Sequence, residues 1–135
     1  MADQKEEAIR QLIQYGETTT IEIKAAVPRH TEMAERMYGM ANAQGGVIII
    51  GVEDASHSII GVPDERMAMT MDTILRAGRN NIKPPLVLDP PEPEVYTLDG
   101  KRVVVVTVPQ SMGPVYQAGG VFWVRCEHTQ FPSTS

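Results

Sequence analysis

The chain has 135 residues, enough for one hydrophobic core and too few for two, so a single domain over 1–135 is expected. A formal net charge of −5 argues against a protein that coats nucleic acid through bulk positive charge, although it leaves room for a local basic groove. The single cysteine excludes an internal disulfide, and no apolar run is long enough to cross a bilayer, which points to a reducing cytoplasm and no membrane partner.

Asp3-Gln4-Lys5-Glu6 has the form of a capping box. Ala8, Ile9, Leu12 and Ile13 then make one apolar stripe of a short helix, with Glu6 and Arg10 four apart and Gly16 as its stop. From Thr20 to Ala25 polar and apolar residues alternate, which predicts a strand with one wet face. Ile21, Ile23 and Ala25 would face the core, while Glu22 and Lys24 would project together into solvent. Val27-Pro28-Arg29-His30 breaks the pattern, and Thr31 is placed to cap a second helix whose Met33, Met37, Met40 and Ala41 recur at helical spacing. Such a methionine stripe reads as core.

Gly45-Gly46 separates that helix from the run 47–52, which has no polar side chain and is rich in β-branched residues. Both faces of this strand should therefore be covered, which makes it central. A phosphate loop needs the order strand, glycine loop, helix, whereas here the glycines follow a helix and precede a strand. Gly45 is better read as a left-handed helix stop, and no ATP site is expected.

After Asp54, Ala55-Ser56-His57 is turn-like and residues 58–62 read as an antiparallel return strand. Pro63-Asp64-Glu65 opens a third helix to about Asn80, with Met67, Met71, Ile74 and Leu75 as its buried side and Arg76, Arg79 and Lys83 near its end. Basic residues there also suit the helix dipole. Asp99-Gly100 is a strong hairpin signal between 94–98 and 102–108, and the apolar run 103–106 belongs beside the central strand. Val115-Tyr116 is expected to pair with 121–125 across Gly119-Gly120, and 129–135 reads as a loop. The fold class is α+β: a mixed β-sheet with a central apolar strand, flanked by about three helices.

Most catalytic signatures are missing. The three histidines are scattered, and Cys126 has no base partner near it in sequence. Carboxylates remain. Glu17, Glu22 and Asp54 lie at the edges of two strands that could be neighbours, and three converging carboxylates are tolerable mainly around a divalent cation. Such an ion, Mg2+ or Mn2+, would activate water for phosphodiester hydrolysis, with Lys24 meeting the phosphate. Each residue also has an ordinary explanation. Glu17 suits an exposed turn, Glu22 with Lys24 a surface pair, and Asp54 the first position of a β-turn.

The motifs 16–24 (Gly16-Glu17-Thr18-Thr19-Thr20-Ile21-Glu22-Ile23-Lys24), Met40-Ala41-Asn42-Ala43-Gln44-Gly45-Gly46, Ile50-Gly51-Val52-Glu53-Asp54 and Ile60-Gly61-Val62 together resemble the Schlafen AlbA-type domain. Val108-Pro109-Gln110-Ser111-Met112-Gly113-Pro114-Val115-Tyr116 and Phe122-Trp123-Val124-Arg125 match its later pattern, so the likeness covers about 16–129. Ile23 stands where the family has an aromatic residue, and Cys126-Glu127-His128 is shorter and more acidic than the family's glycine-containing loop. Prokaryotic members are described as DNA-binding or transcriptional-regulator modules, and older descriptions call them divergent AAA-type domains. Two animal Schlafen lobes clamp structured RNA and cut it with three acids and a divalent metal; motif by motif these acids fall on Glu17, Glu22 and Asp54.

Three expectations follow from this resemblance. The first is a nucleic-acid-binding module (DNA or RNA), part of a longer transcriptional regulator, acting through Lys24, Arg29 and Arg125. The second is a metal-dependent endoribonuclease with Glu17, Glu22 and Asp54 as catalytic residues and ligands of Mg2+ or Mn2+. The third is a non-catalytic homodimerisation domain that uses an exposed strand or a methionine surface.

Overall fold

The apolar run at 47–52 does become an interior strand. A computed structural model of the protein describes residues 2–80, 86–111, 117–118, 121–126 and 129–133, with side chains described for 4–79 and 86–111. The chain order is α1 (Ala2–Tyr15), β1 (Ile21–Lys24), α2 (His30–Asn42), β2 (Gly46–Ile50), α3 (Asp64–Asn80), β3 (Glu94–Leu98), β4 (Lys101–Val108), β5 (Gln117–Ala118), β6 (Val121–Cys126) and β7 (Thr129–Ser133). The first four strands form a mixed sheet in the order β1-β2-β4-β3, and the last three form a separate antiparallel sheet in the order β5-β6-β7. The fold is α+β.

The period of two along β2 and β4 sends successive side chains to opposite faces, and helices cover both faces. Ile48, Ile50, Val104, Val106 and Val108 pack with Met33, Met37 and Met40 of α2 and Ile74 of α3. Ile49, Val103 and Val105 pack with Ile21 and Ile23 of β1 and with Ile9 and Ile13 of α1. Fully burying each such side chain contributes roughly 1.5–3 kcal/mol, so continuous apolar strands are what this two-sided layer requires. The methionine stripe of α2 is interior and offers no docking surface.

β1 runs parallel to β2, with Glu22 opposite Ile48 and Lys24 opposite Ile50, and α2 is the crossover between them. β4 pairs antiparallel with both β2 and β3. The β3–β4 hairpin turns on Asp99 and Gly100, both at positive φ, as its Asp-Gly pair dictates. Gly45, at φ +77, turns the chain from α2 into β2 while its N–H bonds the Met40 carbonyl. A Cβ there would stand 2.7 Å from the Val108 carbonyl oxygen and 2.8 Å from the Gln110 nitrogen, so the backbones meet too closely for any other residue.

Several local expectations are corrected. α1 begins at Ala2, which puts Asp3 inside the first turn instead of at the cap. α2 begins at His30, with Arg29 and not Thr31 at the cap position. Arg10 reaches across to Asp99, at 2.8 Å, and so ties α1 to the hairpin. Ala25 lies beyond the end of β1 and is exposed. Residues 58–62 make only a single bridge, Val52 to Ile59, because the loop is held mainly by bonds to Gly51. The 129–135 stretch carries β7, which pairs with β6; tertiary pairing overrides the weak strand signal of Thr-Gln-Phe-Pro-Ser. β6 pairs with Gln117 and Ala118, while Val115, Tyr116 and Lys83 lie outside the described residues.

Candidate nucleic-acid interface

The wet face expected of β1 is covered. The register puts Glu22 and Lys24 on the same face as Ile48 and Ile50, and that face lies beneath α2. Glu22 is accordingly only 4 % exposed, and it and Thr70 are the buried polar residues among those described. Its carboxylate does not stand alone. Lys24 Nζ lies 3.8 Å from Glu22 Oε2 and 3.4 Å from Glu32 Oε2, the latter a hydrogen bond donated by the lysine across to the first turn of α2. The lysine is half-buried, so a charged head is carried up to the surface on an apolar stem.

The β1–α2 connection brings a second cation to the same end of the sheet. Arg29 is exposed at the cap position of α2, its carbonyl accepts the Met33 N–H at 2.9 Å, and its side chain makes no capping hydrogen bond. The first-turn N–H groups and the positive end of the helix dipole therefore sit beside Lys24 and Arg29. Arg125 lies in β6 opposite Gln130, on a strand that packs beside α2, and its side chain is outside the described residues.

Glu17 follows the left-handed stop of α1. Gly16, at φ +83, donates its N–H to the Leu12 carbonyl, and Thr18 then donates to Ile21, so that Glu17 stands half-buried at a tight turn. Asp54 is exposed in the loop after β2. The loop is organised by its neighbour Glu53. That carboxylate accepts the Ser56 hydroxyl at 2.6 Å, the Ser56 N–H at 2.8 Å and the Ala55 N–H at 3.2 Å, which hold its pKa down to about 2.

The organised loop delivers a residue that sequence reasoning passed over. His57 has φ +59, its N–H bonds the Glu53 carbonyl, and its imidazole is seated on Gly16. A Cβ on Gly16 would lie 2.7 Å from His57 Cε1 and 3.0 Å from Nε2. His57 thus stands against the residue preceding Glu17. The only sequence signal for it was the glycine, which reads equally well as a helix stop.

Among the described residues, no group of three or more His, Cys, Asp and Glu side chains is arranged to hold a metal ion. Glu22, turned into the sheet–α2 layer and ion-paired to Lys24, has the environment of a buried structural carboxylate and not of an open ligand. Glu17, Glu22 and Asp54 do not form such a group as they stand here. What the geometry does bring together is Lys24 and the first turn of α2, through Glu32, with Arg29 at the cap position of that helix. No helix among the described residues is long and apolar enough to cross a membrane.

The sequence matches the family Schlafen, AlbA_2 over residues 17–133. The DIP2311 protein from Corynebacterium diphtheriae is similar in structure, with a TM-score of 0.62 and 17 % identity, over 85 % of this chain and 22 % of that one. This chain therefore spans about a fifth of that protein's length. The N-terminal domain of a protein related to the ATP-dependent DNA helicase RecG, from Nitrosomonas europaea, has a TM-score of 0.57 and 21 % identity, over 82 % of this chain and 80 % of that domain. No curated protein matches the sequence.

Proposed function

The chain belongs to the Schlafen AlbA_2 family, and on that premise we propose that it is a nucleic-acid-binding module of a larger regulator. The observation that carries this reading is Lys24, held against Glu32 in the first turn of α2, with the exposed Arg29 at the cap position of the same helix. Two cations beside the positive end of a helix dipole suit phosphate oxygens. The kinship of the Nitrosomonas domain with a DNA helicase-related protein supports the same direction. An overall charge of −5 limits the footprint to this end of the molecule, so affinity should be modest and local.

Fluorescence anisotropy with a labelled single-stranded DNA and a labelled RNA hairpin, across a salt series, tests the proposal. Binding is expected to weaken steeply with salt. Lys24→Met and Arg29→Met should each remove about one phosphate contact from the salt slope. Salt-independent binding, or variants that bind as the wild type does, would move the interface elsewhere.

A further inference from the structure

Lys24 has two counter-ions of different kinds. The Glu22 carboxylate is 5 % exposed and fixed in the layer under α2, whereas that of Glu32 is 45 % exposed on the first turn of the helix. Glu32 is nonetheless the nearer, at 3.4 Å against 3.8 Å. The buried acid keeps the lysine head in place. The exposed acid is the counter-ion in contact with solvent, from which an incoming phosphate oxygen would approach. An exposed pair of this kind is weak, and the Glu32 side chain can swing into solvent without breaking any core packing.

We propose that Glu32 occupies the phosphate position on Lys24 in the unbound protein, and that a nucleic-acid phosphate must displace it to bind. Glu32 is then a determinant of affinity that acts by competition. This inference rests on the reading of Lys24 as a phosphate contact. It goes further in assigning an opposing role to a residue on a different element. Both acids contact Lys24, but only Glu32 blocks it.

The test uses the full chain and a labelled single-stranded oligonucleotide. Glu32→Gln keeps the shape of the side chain and removes its charge. It is expected to bind two- to fivefold more tightly, the factor that corresponds to losing an exposed ion pair. It should also show a salt slope steeper by up to about one phosphate. The gain should vanish in the Lys24→Met/Glu32→Gln double variant, and Glu92→Gln, which removes the same charge from the exposed proline-rich run, should not reproduce it. Should Lys24→Met fail to fold, Lys24→Gln, which still donates to Glu22, takes its place. If Glu32→Gln binds as the wild type does while the lysine variant is weakened, competition is refuted and the interface stands. If the gain survives loss of Lys24, or Glu92→Gln matches it, the effect is bulk charge and the inference is overturned. If the lysine variant itself binds normally, the interface fails and the inference with it.

Discussion

The seat of His57 on Gly16 can be measured as a coupling energy. Gly16→Ala has two separable consequences. At φ +83 an alanine occupies left-handed space, which costs roughly 1–2 kcal/mol whatever surrounds it. Its methyl would also lie 2.7 Å from His57 Cε1, so the imidazole must leave its rotamer, at about 0.5–1.5 kcal/mol. Together these destabilise the protein by about 2–3 kcal/mol. His57→Ala keeps the strained backbone at position 57 but removes the ring, and in that background Gly16→Ala should cost only the left-handed part. For 135 residues, 1 kcal/mol corresponds to about 3.5 °C in Tm. Thermal melts followed by circular dichroism should therefore show Gly16→Ala lowering Tm by about 7–10 °C in the wild type. In the His57→Ala background the drop should be smaller by roughly 3.5 °C. Equal drops in the two backgrounds would mean that the imidazole does not rest on Gly16, and the link between the 53–57 loop and the turn before Glu17 would be lost.

Glu22→Met replaces a buried carboxylate with an apolar side chain beside Ile48, while Lys24 keeps Glu32. Removing one member of a buried pair leaves the groups that met it unmatched, at a cost of about 3–5 kcal/mol, so Tm should fall by roughly 10 °C or more, and a Tm equal to that of the wild type would show the acid to be dispensable. The Glu53 carboxyl, with an ordinary value near 4.5 lowered to about 2 by Ser56 and Ala55, contributes stability that is complete above about pH 4.5 and is lost as pH falls towards 2. The Tm difference between wild type and Glu53→Gln should shrink over that window, and a difference constant with pH would contradict the assignment. Because the described acids form no three-membered group, millimolar Mn2+ should leave Tm unchanged; a rise of several degrees that Glu22→Gln abolishes would restore a shared metal site.

Those parts of the fold written in local chemistry were legible in the sequence. Asp99-Gly100 dictates its own turn, and the all-apolar runs at 47–52 and 103–106 can only be strands covered on both sides. Met33, Met37 and Met40 keep helical spacing and are fully buried. Alternation along 20–25 shows that β1 has two different faces, but it cannot say which of them another element will cover. That depends on the path of α2, which leaves β1 and returns over the Glu22 face on its way to β2. β7 was illegible for a related reason, since Pro132 and scattered polar residues carry no strand period and the pairing partner, β6, supplies the order. His57 was hidden because a lone histidine in a turn has no periodicity, and its place is set by Glu53 bonding the backbone around it.

The ion pair under α2 joins stability to function. A buried carboxylate is costly to desolvate, and the lysine at 3.8 Å is one of the contacts that offset that cost. Glu22 is also a fixed negative charge beneath the Lys24 ammonium, on the strand face that lies under α2. With the lysine anchored from below, its affinity for an outside anion is set by what sits above it. That position belongs to Glu32, on the helix and exposed, so one edge strand supplies the cation and the helix that follows regulates access to it.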